Sequence, residues 1–169
     1  MWMLFRQALA IAALPGVVAI VVPRWIALRY GVEWAAPHDL ESAALQGAGL
    51  VLLTIGLGLF TASLYYFWTR GRGTLAPWDP PRRFVVDGPY RFVRNPMISG
   101  VIFTLFGEAL VLQSAPHAAW AGLFLLMNAV YIPLLEEPML VARFGEPYRR
   151  YREHVSMFVP RRRPWSSES

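Results

Sequence analysis

The chain has no cysteine. That removes disulfides, thiolate–metal sites and a cysteine nucleophile, and leaves the redox compartment open. Lysine is missing too, so the net charge of +5 rests on arginine alone, a bias that a GC-rich genome would also produce. Charge of either sign is scarce: 16% of the 169 residues are charged and 56% are hydrophobic. Neither an internal repeat nor a low-complexity segment interrupts the sequence. Gly56-x-Gly58 is no nucleotide fingerprint, because no strand precedes it and no third glycine follows at the right spacing. His38, His117 and His154 are scattered, read as loop or surface residues, and form no metal spacing.

What fills the chain is long apolar runs. Gln7 to Pro23 and Ser42 to Thr69 carry no charge, and between Arg94 and Leu135 the only charge is Glu108. A membrane-spanning helix needs about 20 mostly apolar residues. Four segments meet that need, at about 4–23, 43–68, 96–113 and 117–135, and the expected fold is all-α and polytopic, a single membrane domain. The first run follows a lone Arg6 without a clean small-x-small cleavage site, so it reads as a retained span rather than a signal peptide.

Arginines are unevenly placed. Arg70, Arg72, Arg82, Arg83, Arg91 and Arg94 lie between the second and third spans, and Arg143, Arg149, Arg150, Arg152 and Arg161–Arg163 follow the fourth. The first loop balances Glu33, Asp39 and Glu41 against Arg24 and Arg29. The positive-inside rule then puts both termini and the 70–94 loop in the cytosol, with a bacterial inner membrane as the expected location.

Gly47, Gly49, Gly56 and Gly58 in the second span are expected to permit close helix packing. Asp87-Gly88-Pro89 reads as a turn, glycine permitting positive φ and proline fixing the next φ. Gln113–His117 is long enough only for a helical hairpin, which brings Arg91–Met97 and Glu136-Glu137 to the same cytosolic face. After Phe144-Gly145, Pro147 suits a first helical turn. Tyr148, Tyr151 and Val155 then recur opposite Arg149, Arg150 and Arg152, the pattern of an amphipathic helix on a membrane surface. Trp165 beside Arg161–Arg163 is expected to anchor the tail among anionic lipid headgroups.

Polar residues therefore gather at one place, the 88–96 segment and the acidic pair. Asp87-Gly88-Pro89-Tyr90-Arg91-Phe92-Val93-Arg94-Asn95-Pro96-Met97-Ile98-Ser99-Gly100 resembles the signature of the isoprenylcysteine carboxyl methyltransferase and phospholipid methyltransferase superfamily. Glu136-Glu137, Phe144-Gly145-Glu146-Pro147-Tyr148 and Val159-Pro160-Arg161 resemble its second half, in order and spacing. The resemblance covers about half the chain, 85–164, and implies S-adenosylmethionine as cofactor, bound without a Rossmann fold. It places Val85, Gly88, Tyr90, Arg94, Asn95, Pro96, Ile98, Glu136 and Glu137 at cofactor-binding positions, with Glu137 pairing or supporting. Carboxylates accept from ribose hydroxyls or an ammonium group, and Tyr90 and Asn95 offer hydroxyl and amide contacts. Methyl transfer from a sulfonium is an in-line displacement that asks for positioning and exclusion of water rather than a protein nucleophile.

Each residue also has a plainer reading. Glu136 and Glu137 precede Pro138 and favour a helix N-terminus. Arg91 and Arg94 suit snorkelling to phosphates. Glu108 either lines a cavity or reaches the outer interface. Asn95 stands where the family usually has histidine, which removes a group titrating near neutrality. Ile98 replaces an aromatic, and Ile132 stands where carboxylate-methylating relatives carry arginine. The acceptor implied is a lipophilic small molecule entering from the bilayer: an isoprenoid, a lipid headgroup or a prenylcysteine-like carboxylate. An NADPH-dependent membrane reductase of related architecture and a non-catalytic lipid-binding protein are the alternatives.

Overall fold

A computed structural model of the chain describes residues 12–71, 84 and 86–166. Every regular element among them is helical. A π-helical stretch, π1 (Ala12–Val21), runs directly into α1 (Val22–Tyr30). Then come α2 (Leu40–Gly71), a 3-10 turn (Gly88–Arg91), α3 (Pro96–Val111) and α4 (Ala115–Tyr131). A short π turn, π2 (Ile132–Glu136), carries α4 into α5 (Glu137–Phe144), and α6 (Glu146–His154) follows.

Two of these helical runs are long and apolar enough to cross a membrane, Leu40–Tyr66 and Ala115–Phe144. The third expected span is shorter than 96–113: α3 has 16 residues, about 24 Å of helix against a hydrocarbon core of about 30 Å. The first expected span, 4–23, lies partly outside the described residues, and its visible helix runs past Pro23 to Tyr30. Pro23 lies in the first turn of α1, where its fixed φ suits the helix, but because the helical run is continuous its missing N–H leaves a carbonyl of π1 without a helical donor. α1 ends where Gly31 turns left-handed at φ 63°.

The outward faces of the long helices are apolar. Leu50, Val51, Leu57, Leu126, Met127 and Leu134 are all exposed, an arrangement stable only against lipid or another apolar surface.

α2 and α3 lie antiparallel along a glycine seam. A Cβ on Gly49 would stand 2.8 Å from the Gly107 carbonyl oxygen, and one on Gly56 would stand 2.7 Å from that of Gly100. Gly100 and Gly107 face the same contacts in return. The seven-residue spacing on both helices keeps each pair in register, so the backbones themselves touch. Gly47 and Gly58 meet nothing within 4 Å; they lie off the seam, so of the four glycines expected to permit close packing only Gly49 and Gly56 do so.

Side chains of α4 hold the first helix. Trp120 Nε1 donates to the Val18 carbonyl at 3.1 Å, and His117 Nε2 sits 3.1 Å from the Pro23 carbonyl. His117 is therefore neither a loop nor a surface residue: it is 2% exposed, with its Nδ1 2.7 Å from the Ser114 hydroxyl. The start of α4 selects that position, because Ser114 caps the helix three residues earlier.

α6 is amphipathic as its pattern predicts, but its apolar face meets protein. Tyr148, Tyr151 and Val155 form a cluster with Trp165, and Phe84, Val86 and Phe144 pack against it. Trp165 is 8% exposed, so it anchors the tail to the protein rather than among headgroups. The sequence offered a periodic apolar face and no sign of what would cover it.

Candidate functional site

The hairpin of α3 and α4 returns the chain to the turn from which α3 started. Gly88 opens that turn at φ +55°, and a Cβ there would collide with the Tyr66 ring of α2. A residue with a side chain is thus excluded twice, by backbone and by space. Pro89 lies in the first 3-10 turn, as its fixed φ favours. Pro96, fully buried, starts α3.

On the other side, π2 widens the helix just before the acidic pair. The Glu137 N–H donates to the Ile132 carbonyl, five residues back. Pro133 cannot donate, and the extra residue per turn shifts the register of α5. Ile132 is turned fully inward at 1% exposure. Glu137 is buried, and Glu136 is half-buried.

The two segments meet. Arg94 Nη1 lies 2.7 Å from Glu137 Oε1, with the side chains 13% and 5% exposed. This is a charge contact rather than an aligned hydrogen bond. Arg152 of α6 reaches the other carboxylate oxygen at 3.5 Å. Arg94 is accordingly a buried partner of Glu137, which rules out the snorkelling reading for this arginine. Glu136 makes no ion pair among the described residues. Burial, and then the nearby Glu136 carboxylate, push the Tyr90 hydroxyl well above the ordinary phenol range, so it stays protonated.

Two donors in this place are buried without partners, Asn95 Nδ2 and Arg94 Nε. Leaving such groups unmatched is costly, and a polar ligand would relieve it. Ile98, half-buried, follows on the first turn of α3. Of the nine positions marked in the sequence, eight lie on the turn, the start of α3 or the π2–α5 junction. Val85 lies outside the described residues. No group of His, Asp and Glu suited to a metal occurs among the described residues.

Sequence reasoning missed three residues that shape the site. Tyr151 donates its hydroxyl to the Tyr90 carbonyl at 2.6 Å. Trp165 and Arg91 are joined twice, the Trp165 N–H to the Arg91 carbonyl and Arg91 Nε to the Trp165 carbonyl, each at 2.8 Å. Arg152 completes the ion-pair triad with Glu137. Helical spacing put Tyr151 on the apolar face of a helix expected to lie on the membrane, and nothing in the sequence pointed to the turn as its partner.

Two clefts lie on the described surface. One of about 700 Å³ is bordered by Val86, Asp87, Arg91, Pro147 and Trp165. The other, about 620 Å³ and almost wholly apolar, follows α4 from Phe124 to Tyr131 and reaches Leu135 of π2, the residue before Glu136.

The phospholipid methyltransferase family matches residues 45–147. Methanethiol S-methyltransferase of Pseudomonas deceptionensis is 36% identical over 170 residues, covering 89% of this chain and 59% of that protein. Methanethiol S-methyltransferase 1 of Bradyrhizobium diazoefficiens is 37% identical over 83 residues, 49% of this chain and 28% of that protein. The chain thus spans about three fifths of the first relative's length and little more than a quarter of the second's. No solved structure matches it.

Proposed function

The chain belongs to the phospholipid methyltransferase family, and we propose that it is a membrane methyltransferase that uses S-adenosylmethionine to methylate a small lipophilic acceptor. The observation that carries this reading is the meeting of the Tyr90–Asn95 turn with the Glu136-Glu137 pair at one end of an apolar hairpin. The residues fit such a cofactor. Glu136 is an acceptor without an ion-pair partner among the described residues, and Asn95 Nδ2 and Arg94 Nε are buried donors without partners. Together they match a ligand carrying hydroxyl, ammonium and carboxylate groups.

Bound there, S-adenosylmethionine supplies a methyl group on a positively charged sulfur. Glu136 favours that positive charge, and Tyr90, held neutral, offers a hydroxyl hydrogen bond without adding charge. Ile132, four residues before Glu136 on π2, is apolar and fully buried, suited to excluding water from a displacement in line. The apolar cleft along α4 ends at Leu135 and is the proposed route of the acceptor from the bilayer. An uncharged or thiol acceptor suits it better than a carboxylate, since no cation stands at Ile132. Three relatives are named methanethiol S-methyltransferases, so a small alkane thiol is the first acceptor to test. The donor would supply its methyl group to the thiol sulfur and would leave as a neutral thioether, with the thiol proton passing to solvent.

The proposed topology has four passes with both termini in the cytosol of a bacterial inner membrane. The exposed Arg143, Arg162 and Arg163 then face anionic headgroups beside the site.

The test is to incubate membranes containing the chain with methyl-labelled S-adenosylmethionine and methanethiol, longer alkane thiols or extracted lipid, then identify the labelled product by mass. Labelled thioether or lipid supports the reading. No labelled product with any acceptor, or saturable binding of NADPH in place of the methyl donor, sinks it.

A further inference from the structure

We propose that the tail from Ser156 to Trp165 is a clamp that sets the shape of the donor-binding turn, and that Tyr151 and Trp165 are positioning residues for donor binding. The inference rests on the methyl-donor reading of the turn and adds the part of the chain that holds it.

Neither segment has a regular partner of its own. The tail is without helix or strand, and between the 3-10 turn and α3 the chain is irregular. Buried backbone N–H and C=O groups in such stretches must be satisfied somewhere. Here the two segments satisfy each other. The Arg94 and Asn95 N–H groups donate to the Ser156 and Met157 carbonyls at 2.9 and 3.2 Å. In the opposite sense, the Arg161 and Trp165 N–H groups donate to the Phe92 and Arg91 carbonyls at 2.9 and 2.8 Å. The Tyr151 hydroxyl takes the Tyr90 carbonyl, and the Ser99 hydroxyl reaches the Phe158 carbonyl at 3.4 Å.

Between Tyr90 and Asn95 the only residue not bonded to this tail or to Tyr151 is Val93, which is 0% exposed and bonds back to Pro89. The bonds of Tyr90, Phe92 and Val93 to Asp87 and Pro89 hold the start of the turn, whereas the Arg94 and Asn95 N–H groups donate only to the tail. The Trp165 ring then fixes the far end of the clamp, packing against the Tyr151 ring with centroids 5.4 Å apart. Moving either aromatic shifts the carbonyls and amides of the residues that carry Tyr90 and Asn95. The acceptor route along α4 lies on a different element and is left untouched.

The experiment compares the full-length chain with Tyr151→Phe, which removes one hydroxyl, and Trp165→Ala, which removes the ring. Hydrogen exchange over 90–95 is read alongside the KM for S-adenosylmethionine and for the acceptor, well below the unfolding temperature. Faster exchange in 90–95 and a donor KM raised about threefold to tenfold in Tyr151→Phe, as one hydrogen bond is worth, with the acceptor KM unchanged, are expected. A tail that merely stabilises the fold lowers the amount of active protein, and so Vmax, and leaves both KM values alone; that result overturns the proposal. Unchanged exchange in 90–95 in both variants overturns it as well. Failure of the donor reading itself is seen separately, as absence of donor binding in the unaltered chain.

Discussion

Arg94 Nη1 lies 2.7 Å from Oε1 of Glu137, joining the turn ahead of α3 to the first residue of α5 at a point almost closed to solvent. Two distant parts of the sequence, each carrying half of the family signature, are thereby locked together. Arg152, 43% exposed, adds a weaker third charge.

Removing one member should be far worse than removing both. Glu137→Gln leaves a buried guanidinium uncompensated and is expected to cost about 3–5 kcal/mol of stability. Arg94→Met alone should be comparably harmful, and Arg94→Met with Glu137→Leu should recover most of the loss. A double-mutant cycle read by unfolding in detergent checks this, and additive losses would show that the pair does not act as a unit.

The glycine seam makes a prediction that separates neighbours on one helix. Gly56→Ala places a Cβ 2.7 Å from the Gly100 carbonyl oxygen, so α2 and α3 must part, at a cost of about 1–3 kcal/mol. Gly58→Ala meets nothing and should be neutral or stabilising by about 0.5–1 kcal/mol through helix propensity. Thermal midpoints of the two variants decide it; equal effects would contradict the seam.

Gly88 and Gly31 offer a matched comparison. Both have positive φ, at +55° and +63°, but only Gly88 has a ring against it. Alanine at Gly31 should cost the backbone penalty alone, about 1–2 kcal/mol. Alanine at Gly88 should cost more, and should also weaken donor binding by moving the turn. Unfolding and donor titration of both variants test the difference.

The start of α2 should respond to acid. The Ser42 N–H donates to Asp39 Oδ1 at 2.7 Å, and hydrogen bonds from the Ser42 side chain and backbone hold the Asp39 carboxyl below its usual value of 3.8. A folded-state value below the unfolded one stabilises fully above the unfolded pKa and is lost as pH falls through the folded value. Asp39→Ala should therefore speed hydrogen exchange at 40–43 near neutral pH. Measured against the unaltered chain at each pH, the difference should shrink as the pH falls below the usual carboxyl value of 3.8. A difference independent of pH would mean that the charge contributes nothing.

Much of this molecule was legible in the order of residues. The uncharged runs located α2, α3 and α4 to within a few residues, because apolar length is what a bilayer selects. The hairpin at Gln113–His117 predicted that Arg94 and Glu137 would share one end. Tertiary partners were not legible. The periodic face of Tyr148, Tyr151 and Val155 suits lipid and protein equally, and only the fold shows that Trp165 and Phe84 cover it. His117 read as scattered because its partner is a backbone carbonyl, which carries no residue identity. Likewise the π turn at Ile132–Glu136 left no trace beyond Pro133, although it sets which way the acidic pair faces.

Above all, the turn and the acidic pair together should bind a methyl donor. Equilibrium binding of labelled S-adenosylmethionine to the purified chain, beside Glu136→Ala and Asn95→Ala, tests this most directly. Saturable binding is predicted for the unaltered chain, weakened about tenfold or more in each variant, the worth of a hydrogen bond to a charged group, with unfolding midpoints unchanged. No saturable binding, or equal affinity in all three, would contradict it.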